Sequence, residues 1–85
     1  MPIVGKFYGL IIRMNYINDE HNPPHIHVIR KGECEAVFDI KTGRMIRGYL
    51  PTRYEKYVKS FIEKHKERLL EMWKKQNFEI LSLGD

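Results

Sequence analysis

The hydrophobic period of this 85-residue chain changes once, near residue 51, and this change constrains the fold more than any other feature. In residues 3–50 apolar side chains recur mainly at every second position, whereas in residues 52–77 they recur at helical spacing. Alternation is typical of strands with one buried face, and the longer spacing is typical of an amphipathic helix. The sequence therefore predicts a single α+β domain. Its parts are a sheet portion in residues 1–50, a C-terminal helix in residues 51–77 packed on one face of the sheet, and a tail in residues 78–85.

Glycine-containing turns divide the sheet portion and predict an antiparallel sheet of three or four strands. Arg30-Lys31-Gly32 and Lys41-Thr42-Gly43 are three-residue connections with glycine in the third position, where a left-handed conformation carries no steric penalty for glycine. The strands are predicted at residues 6–16, from His25 onward, at residues 33–40 and at about residues 44–49.

The length of the first connection decides which face of the sheet carries the histidines. A three-residue connection places Ile26 and Val28 on the apolar face, so His25 and His27 point to the opposite face, and a shift of one residue would reverse this assignment. It also predicts that Glu35 lies directly across from His27, close enough to orient a ring nitrogen. The predicted polar face carries His25, His27, Glu35, Asp39, Arg47 and Arg13.

Two residues do not fit a simple amphipathic helix. His65 falls in the middle of the apolar stripe, and we expect it to be a core histidine without a ligand. Leu70 points away from that stripe. Its position indicates that the helix is kinked or split near His65, that the tail folds back over Leu70, or that a second copy of the chain covers it as a homodimer.

Composition restricts the cellular compartment and the class of binding partner that we expect for this chain. Cys34 is the only cysteine, so no intramolecular disulfide can form, and no segment approaches the ~20 apolar residues of a membrane span. We therefore expect a soluble cytoplasmic protein without a membrane partner. The formal net charge is +4, and residues 52–77 hold all of it, with eight Lys and Arg against four Glu. This charge is compatible with RNA or DNA as a partner but does not require either.

The segment Glu20-His21-Asn22-Pro23-Pro24-His25-Ile26-His27 places three histidines within seven positions. The two prolines fix the backbone and favour an extended entry into the strand at His25. We expect them to hold His21 near the end of the face that presents His25 and His27.

This histidine segment is part of a longer pattern. The other matching residues are Phe7-x-Gly9, Val28, Gly32, Ala36-x-Phe38, His65, Leu69-Leu70 and Trp73. With them, nearly the whole chain resembles the short bacterial domain-of-unknown-function family DUF4160. The resemblance implies a two-gene system of toxin-antitoxin-like or regulatory type, with a small protein partner encoded nearby. It implies no verified catalytic residue.

The first interpretation of the histidines is enzymatic. His25 and His27 would be the acid and base in phosphodiester cleavage, since imidazole titrates near neutrality. Glu35 would fix a tautomer, and Arg47 or Arg13 would bind the phosphate. A small basic ribonuclease fits this interpretation, although Glu35 and a second carboxylate on the same face would repel a polyanion.

The second interpretation is a metal site. His21, His25 and His27 could bind a divalent transition metal such as zinc, with Glu20, Glu35 or water completing the shell.

The third interpretation is a resemblance to the histidine-triad nucleotide hydrolases. Here the first histidine stands four positions from the second, across two prolines, which departs from the His-x-His-x-His pattern of those enzymes.

The fourth interpretation is structural, with the protein acting by binding a partner. Histidines and carboxylates would then hydrogen-bond the proline segment to the sheet. We predict on balance a small interaction or effector domain whose working surface is the face carrying His21, His25 and His27, with Asp39 and Arg13 as further binding residues. The alternative is a ribonuclease-like or metal-dependent phosphodiester or nucleotide hydrolase.

Overall fold

A computed structural model describes residues 2–15 and 23–83 of the chain. Within these residues it contains β1 (Ile3–Phe7), β2 (Leu10–Arg13), β3 (His25–Arg30), β4 (Cys34–Asp39), β5 (Met45–Gly48) and α1 (Thr52–Lys75). The strands form one antiparallel sheet in the order β1-β2-β3-β4-β5, so each strand pairs with its neighbour in sequence. The predicted α+β class is confirmed, with five strands where three or four were expected.

The additional strand comes from a hairpin that the alternating pattern does not reveal. Tyr8 and Gly9 have φ values of 49° and 77°, and Phe7 pairs with Leu10 across them. Two successive residues with positive φ form the two-residue turn that matches the twist of a hairpin. Tyrosine is uncommon in this conformation, and the Tyr8 ring packs on the Tyr57 ring of α1 at 4.4 Å between centroids. The predicted strand at residues 6–16 is therefore two strands.

The face predicted for each residue of β3 and β4 is confirmed, but the predicted partner is wrong. Glu33 N donates to Arg30 O at 3.0 Å, so the connection is residues 31–33 and not residues 30–32. His27 consequently pairs with Val37, and Glu35 pairs with Ile29. The register differs from the prediction by two residues, which preserves the face of every side chain because the period of a strand is two.

The core lies between α1 and one face of the sheet. The sheet and its flanks contribute the buried residues Val4, Leu10, Ile12, Met14, Ile26, Val28, Ala36, Phe38 and Ile40. Leu50 contributes from the connection to the helix, and α1 contributes Val58, Phe61, Ile62, Leu69 and Met72. Complete burial of a side chain of this kind contributes about 1.5–3 kcal/mol. The buried helical residues recur at three- and four-residue spacing, which is why α1 packs along one stripe.

The helix bends at His65, which has non-helical angles of φ −114° and ψ 17°. The tail then returns across the molecule, since Leu81 N donates to Val4 O at 2.8 Å and His65 Nε2 donates to Ser82 O. Leu70 is half-buried against the core. A kink and a returning tail are thus both present, and the homodimer stays a prediction.

The C-terminal end of α1 is closed by a left-handed residue, Gln76, whose N–H donates to Met72 O at 2.8 Å. The helix ends close to the predicted boundary at residue 77. No helix among residues 2–15 and 23–83 combines the length and apolar composition needed to cross a bilayer.

Candidate functional site

The face of the sheet opposite α1 carries the predicted site residues. One row across it consists of Arg13 on β2, His27 on β3, Val37 on β4 and Arg47 on β5, which are successive cross-strand partners. Neighbouring residues in such a row have Cβ atoms about 4.5–5.5 Å apart. No described strand or helix lies over this face, which we call the open face.

His27 is fixed at the centre of the open face. Its side chain is almost buried, Nδ1 donates to Glu35 Oε1 at 3.2 Å, and Nε2 accepts from Asn15 Nδ2 at 3.1 Å. An ionised carboxylate can only accept, so Nδ1 must donate, and the neutral ring is the Nδ1–H tautomer. Both ring nitrogens therefore have partners inside the fold. Any use of Nε2 on a ligand would require the Asn15 hydrogen bond to break.

Glu35 reaches His27 diagonally and not from the directly opposite position. Its cross-strand partner is Ile29, and His27 lies two pairs further along β3 on the same face. A diagonal pair is about 7–8 Å apart, a distance that the longer side chain of glutamate spans. The predicted contact between Glu35 and His27 is thus present, with a different register from the one assumed.

His25 differs from His27 in its free nitrogen. Its Nδ1 donates to Pro23 O at 2.8 Å, so the neutral ring is again the Nδ1–H tautomer and Nε2 carries a lone pair. No group in the described part of the chain hydrogen-bonds this Nε2. The ring lies between two others, His27 at 5.2 Å and Trp73 at 4.9 Å between centroids. His25 is therefore oriented from three sides and can accept a proton, a hydrogen bond or a metal ion at Nε2.

Arg47 stands beside His25 in a shallow cleft of about 240 Å³, whose floor includes Val37 and whose rim includes Ile46. Arg47 is exposed, and Val37 is buried although it belongs to the open face. A second depression of about 330 Å³ continues past Arg47 to His27. The open face therefore combines arginines and carboxylates with an apolar floor at Val37.

The remaining predicted residues are placed as follows. Asp39 pairs with His25 across the strands, and its Oδ1 accepts from Lys41 N at 2.7 Å and from Thr42 N at 3.2 Å. It therefore fixes the β4–β5 turn. Arg13 is half-buried directly beside His27. His21 lies outside the described residues.

The metal prediction depends on His21 and is not decided by the rest of the site. Within residues 2–15 and 23–83, no three His, Cys, Asp or Glu side chains are grouped to hold a metal ion. His25 Nε2 is oriented as a metal-bound imidazole usually is, with the other nitrogen donating to a carbonyl. Zinc binding through His21, His25 and His27 stays a prediction.

Three contributors to the site were not predicted from the sequence. Asn15 holds His27, Trp73 supports His25, and Ile46 stands half-exposed at the rim. The alternation of residues 11–15 places Asn15 on the same face as Arg13, which is the only signal the sequence carries for it. Trp73 lies on the apolar stripe of α1, which indicates a core position, and its contact with His25 lies at the end of β3.

Comparison with known proteins gives one match. No curated protein and no solved structure matches the chain. The family model described as "Domain of unknown function (DUF4160)" matches residues 9–74, which extend from the β1–β2 turn to the last turn of α1 and include the open face. The chain therefore belongs to the DUF4160 family.

Proposed function

We propose that this chain is a small bacterial interaction or effector domain, one component of a two-gene toxin-antitoxin-like or regulatory pair, that binds a small protein partner on its open face. The observation that carries the proposal is the pair of histidine environments. Both ring nitrogens of His27 are bonded inside the fold, whereas His25 lines the cleft beside Arg47 and its Nε2 has no hydrogen bond to any described residue. Such a surface holds its polar groups in fixed orientations, which lowers the entropy cost of binding a partner.

The mixed character of the open face favours a protein over a polyanion. Its cations, Arg13 and Arg47, are interspersed with Glu35 and with the apolar floor at Val37. A phosphate backbone would meet a carboxylate here, whereas a protein can place apolar, acidic and hydrogen-bonding groups at separate positions.

The size of the face also fits a small partner that extends over the β5 edge. Five strands of four to six residues, about 17 Å long on average and about 4.8 Å apart, give a face of roughly 400 Å², against about 800 Å² per partner in a standard interface. The remaining area is available at β5, the edge strand of the described sheet, where Ile46 is 51% and Tyr49 is 64% exposed. We therefore place the partner across Arg47 and onto these two side chains.

The experiment is co-expression of the chain with the product of the neighbouring gene, followed by co-purification and measurement of the dissociation constant. His25→Ala and Arg47→Ala should each weaken the complex at least ten-fold, the loss expected of a central interface residue at about 1.4 kcal/mol. Arg53→Ala is the matched control, because Arg53 is an exposed arginine at the start of α1. A complex unaffected by the first two substitutions, or no complex at all, contradicts the proposal.

A second candidate function rests on a separate observation, the orientation of His25. An Nδ1–H imidazole with a lone pair on Nε2 is a general base, and Arg47 in the same cleft could bind a phosphate. This is the arrangement expected of a small phosphodiester or nucleotide hydrolase. Because both nitrogens of His27 are engaged, His25 would be the base and His27 a positioning residue.

This alternative is tested with labelled RNA and with nucleoside triphosphate, each in the presence and absence of EDTA. His25→Ala should lower the rate about 10²- to 10⁴-fold, the usual contribution of general base catalysis, and should leave the partner complex intact. Loss of turnover in the presence of EDTA would show that the reaction depends on a metal ion. Absence of turnover by the unsubstituted chain, or an unchanged rate in His25→Ala, removes the candidate.

A further inference from the structure

A second cleft, of about 400 Å³, lies away from the histidines between the β4–β5 turn and the middle of α1. Residues 40–44 form one wall and the helical face from Lys59 to Lys66 forms the other. Ile40 and Ile62 line its base and are 0% and 2% exposed. We call it the turn–helix cleft. It belongs neither to the open face nor to the partner surface proposed above.

The walls of this cleft are strongly cationic. Lys41 and Arg44 project from the turn, Lys59 and Lys66 from the helix, and Glu63 is the one carboxylate among the lining residues. Four cations and one carboxylate give a formal lining charge of +3. Sequence alone could not bring these groups together, because the turn and the helix meet only in the folded chain.

Three of these cations lack a counterion within the described part of the chain. Lys59 pairs with Glu55 at 3.3 Å, but Lys41, Arg44 and Lys66 have no ion pair with any described residue. Some cations elsewhere in the described part of the chain are neutralised by carboxylates. Arg68, for example, is hydrogen-bonded to two glutamates. The cleft is therefore a local concentration of positive charge that an anion from outside can neutralise.

The backbone of the turn is already committed to internal hydrogen bonds. Asp39 Oδ1 accepts from Lys41 N and Thr42 N, Asp39 O accepts from Gly43 N at 2.8 Å, and Thr42 Oγ1 accepts from Arg44 N at 3.2 Å. A ligand would therefore be held by the side-chain cations and not by a nest of amides. Because the turn is held rigidly, the cations on it have fixed attachment points.

We propose that the turn–helix cleft binds a phosphate-bearing nucleotide unit. Its volume of about 400 Å³ is in the range of small-ligand sites, about 300–1,000 Å³. The cations on its two walls can contact phosphate oxygens, and the apolar base formed by Ile40 and Ile62 accommodates a ribose or base edge. None of the described residues that line the cleft is aromatic, so we expect binding to depend on phosphate and to tolerate any sequence.

The test uses the full chain and a fluorescently labelled 12-nucleotide single-stranded RNA, with binding measured by anisotropy at several salt concentrations. The double variant Lys41→Gln with Lys66→Gln removes one cation from each wall. Loss of two phosphate contacts should weaken binding about ten-fold or more at low salt, and should reduce the slope of log K against log salt by about 1.4 for a single strand. Thermal unfolding confirms that the variant is folded.

The matched control is Lys31→Gln with Lys75→Gln. It also removes two exposed lysines, one from a hairpin turn and one from α1, but neither lines the cleft. The control should retain the affinity and salt slope of the unsubstituted chain. Equal weakening by both double variants would show diffuse attraction and overturn the proposal.

Competition experiments distinguish a free nucleotide from a nucleic acid strand as the ligand that supplies the phosphate. Displacement of the RNA by a nucleoside monophosphate assigns a free nucleotide, and displacement only by unlabelled oligonucleotide assigns a nucleic acid strand; either supports the proposal. Binding of polyglutamate but not of RNA or nucleotide, with the same dependence on Lys41 and Lys66, would assign an acidic protein and overturn it.

Discussion

Gly48 is a point of close approach between β5 and β4. It has φ +83°, and a Cβ atom built on it would lie 2.3 Å from Glu35 O and 2.9 Å from Ala36 Cα. Both neighbours are backbone atoms of β4, so they cannot rotate away as a side chain would. Gly43 has nearly the same φ, +74°, but a Cβ atom there would meet nothing within 4 Å. The two glycines therefore separate the effect of backbone conformation from the effect of crowding.

We predict different losses of stability for Gly48→Ala and Gly43→Ala. A left-handed conformation costs an alanine about 1–2 kcal/mol, and this applies to both variants. Crowding adds about 1–3 kcal/mol only at Gly48, because β4 and β5 must move apart. The free energy of unfolding should thus fall by about 2 kcal/mol more in Gly48→Ala, equivalent to a melting temperature about 8–16 °C lower for a domain of this size.

The assay is thermal unfolding by circular dichroism, with urea unfolding followed by the fluorescence of Trp73, the only tryptophan. The separation of β5 from β4 in Gly48→Ala should also be local. Tyr49 N donates to Glu35 O at 3.0 Å, so displacing β5 should speed amide exchange at Tyr49. If the two variants unfold within about 0.5 kcal/mol of each other, the close approach of Gly48 to β4 is wrong, because only crowding distinguishes them.

Three further predictions concern the core, the histidine network and the tail. Phe38→Ala removes a fully buried ring and should lower the free energy of unfolding by about 3–5 kcal/mol in urea; a loss below about 1 kcal/mol would contradict its burial. Asn15→Leu leaves His27 Nε2 without its donor and should cost about 1–3 kcal/mol, with a changed ring nitrogen shift in ¹⁵N NMR; an unchanged spectrum would show that the hydrogen bond is absent. The hydrogen bond from Arg68 lowers the pKa of Glu79, so this carboxylate stabilises the docked tail at neutral pH and the contribution is lost as the pH falls through that lowered pKa. Amide exchange in the tail should therefore accelerate on acidification, and Glu79→Gln should remove this acid-dependent step.

The sequence predicted the faces of the sheet better than the pairing of its strands. Assigning Ile26 and Val28 to the core depended only on the parity of the β3–β4 connection, and both are fully buried. The exact partner of His27 depended on where that connection begins, and Arg30 proved to be the last paired residue of β3. An error of two residues leaves the hydrophobic pattern unchanged, so the pattern cannot detect it.

The missed hairpin and the missed contact of Trp73 have different physical origins. Tyr8-Gly9 lacks the asparagine or aspartate that usually marks a two-residue turn, and the alternation continues through it without a break. Trp73 touches His25 because α1 bends at His65 and its last turns reach the end of β3. The helical spacing of apolar residues indicates which side chains face the core, but it does not predict the bend of α1 at His65.

Asp39 connects the two proposed surfaces, although the sequence indicated only one of them. Its place on the predicted polar face indicates a binding residue on the open face. In the structure its carboxylate instead holds the amides of Lys41 and Thr42, which are part of the turn that forms one wall of the turn–helix cleft. Asp39, which pairs with His25 on the open face, thus fixes the cationic turn that forms one wall of the turn–helix cleft. A rearrangement of β4 at Asp39 would have to disturb both, so the two surfaces share one rigid element even though no ligand need contact Asp39 itself.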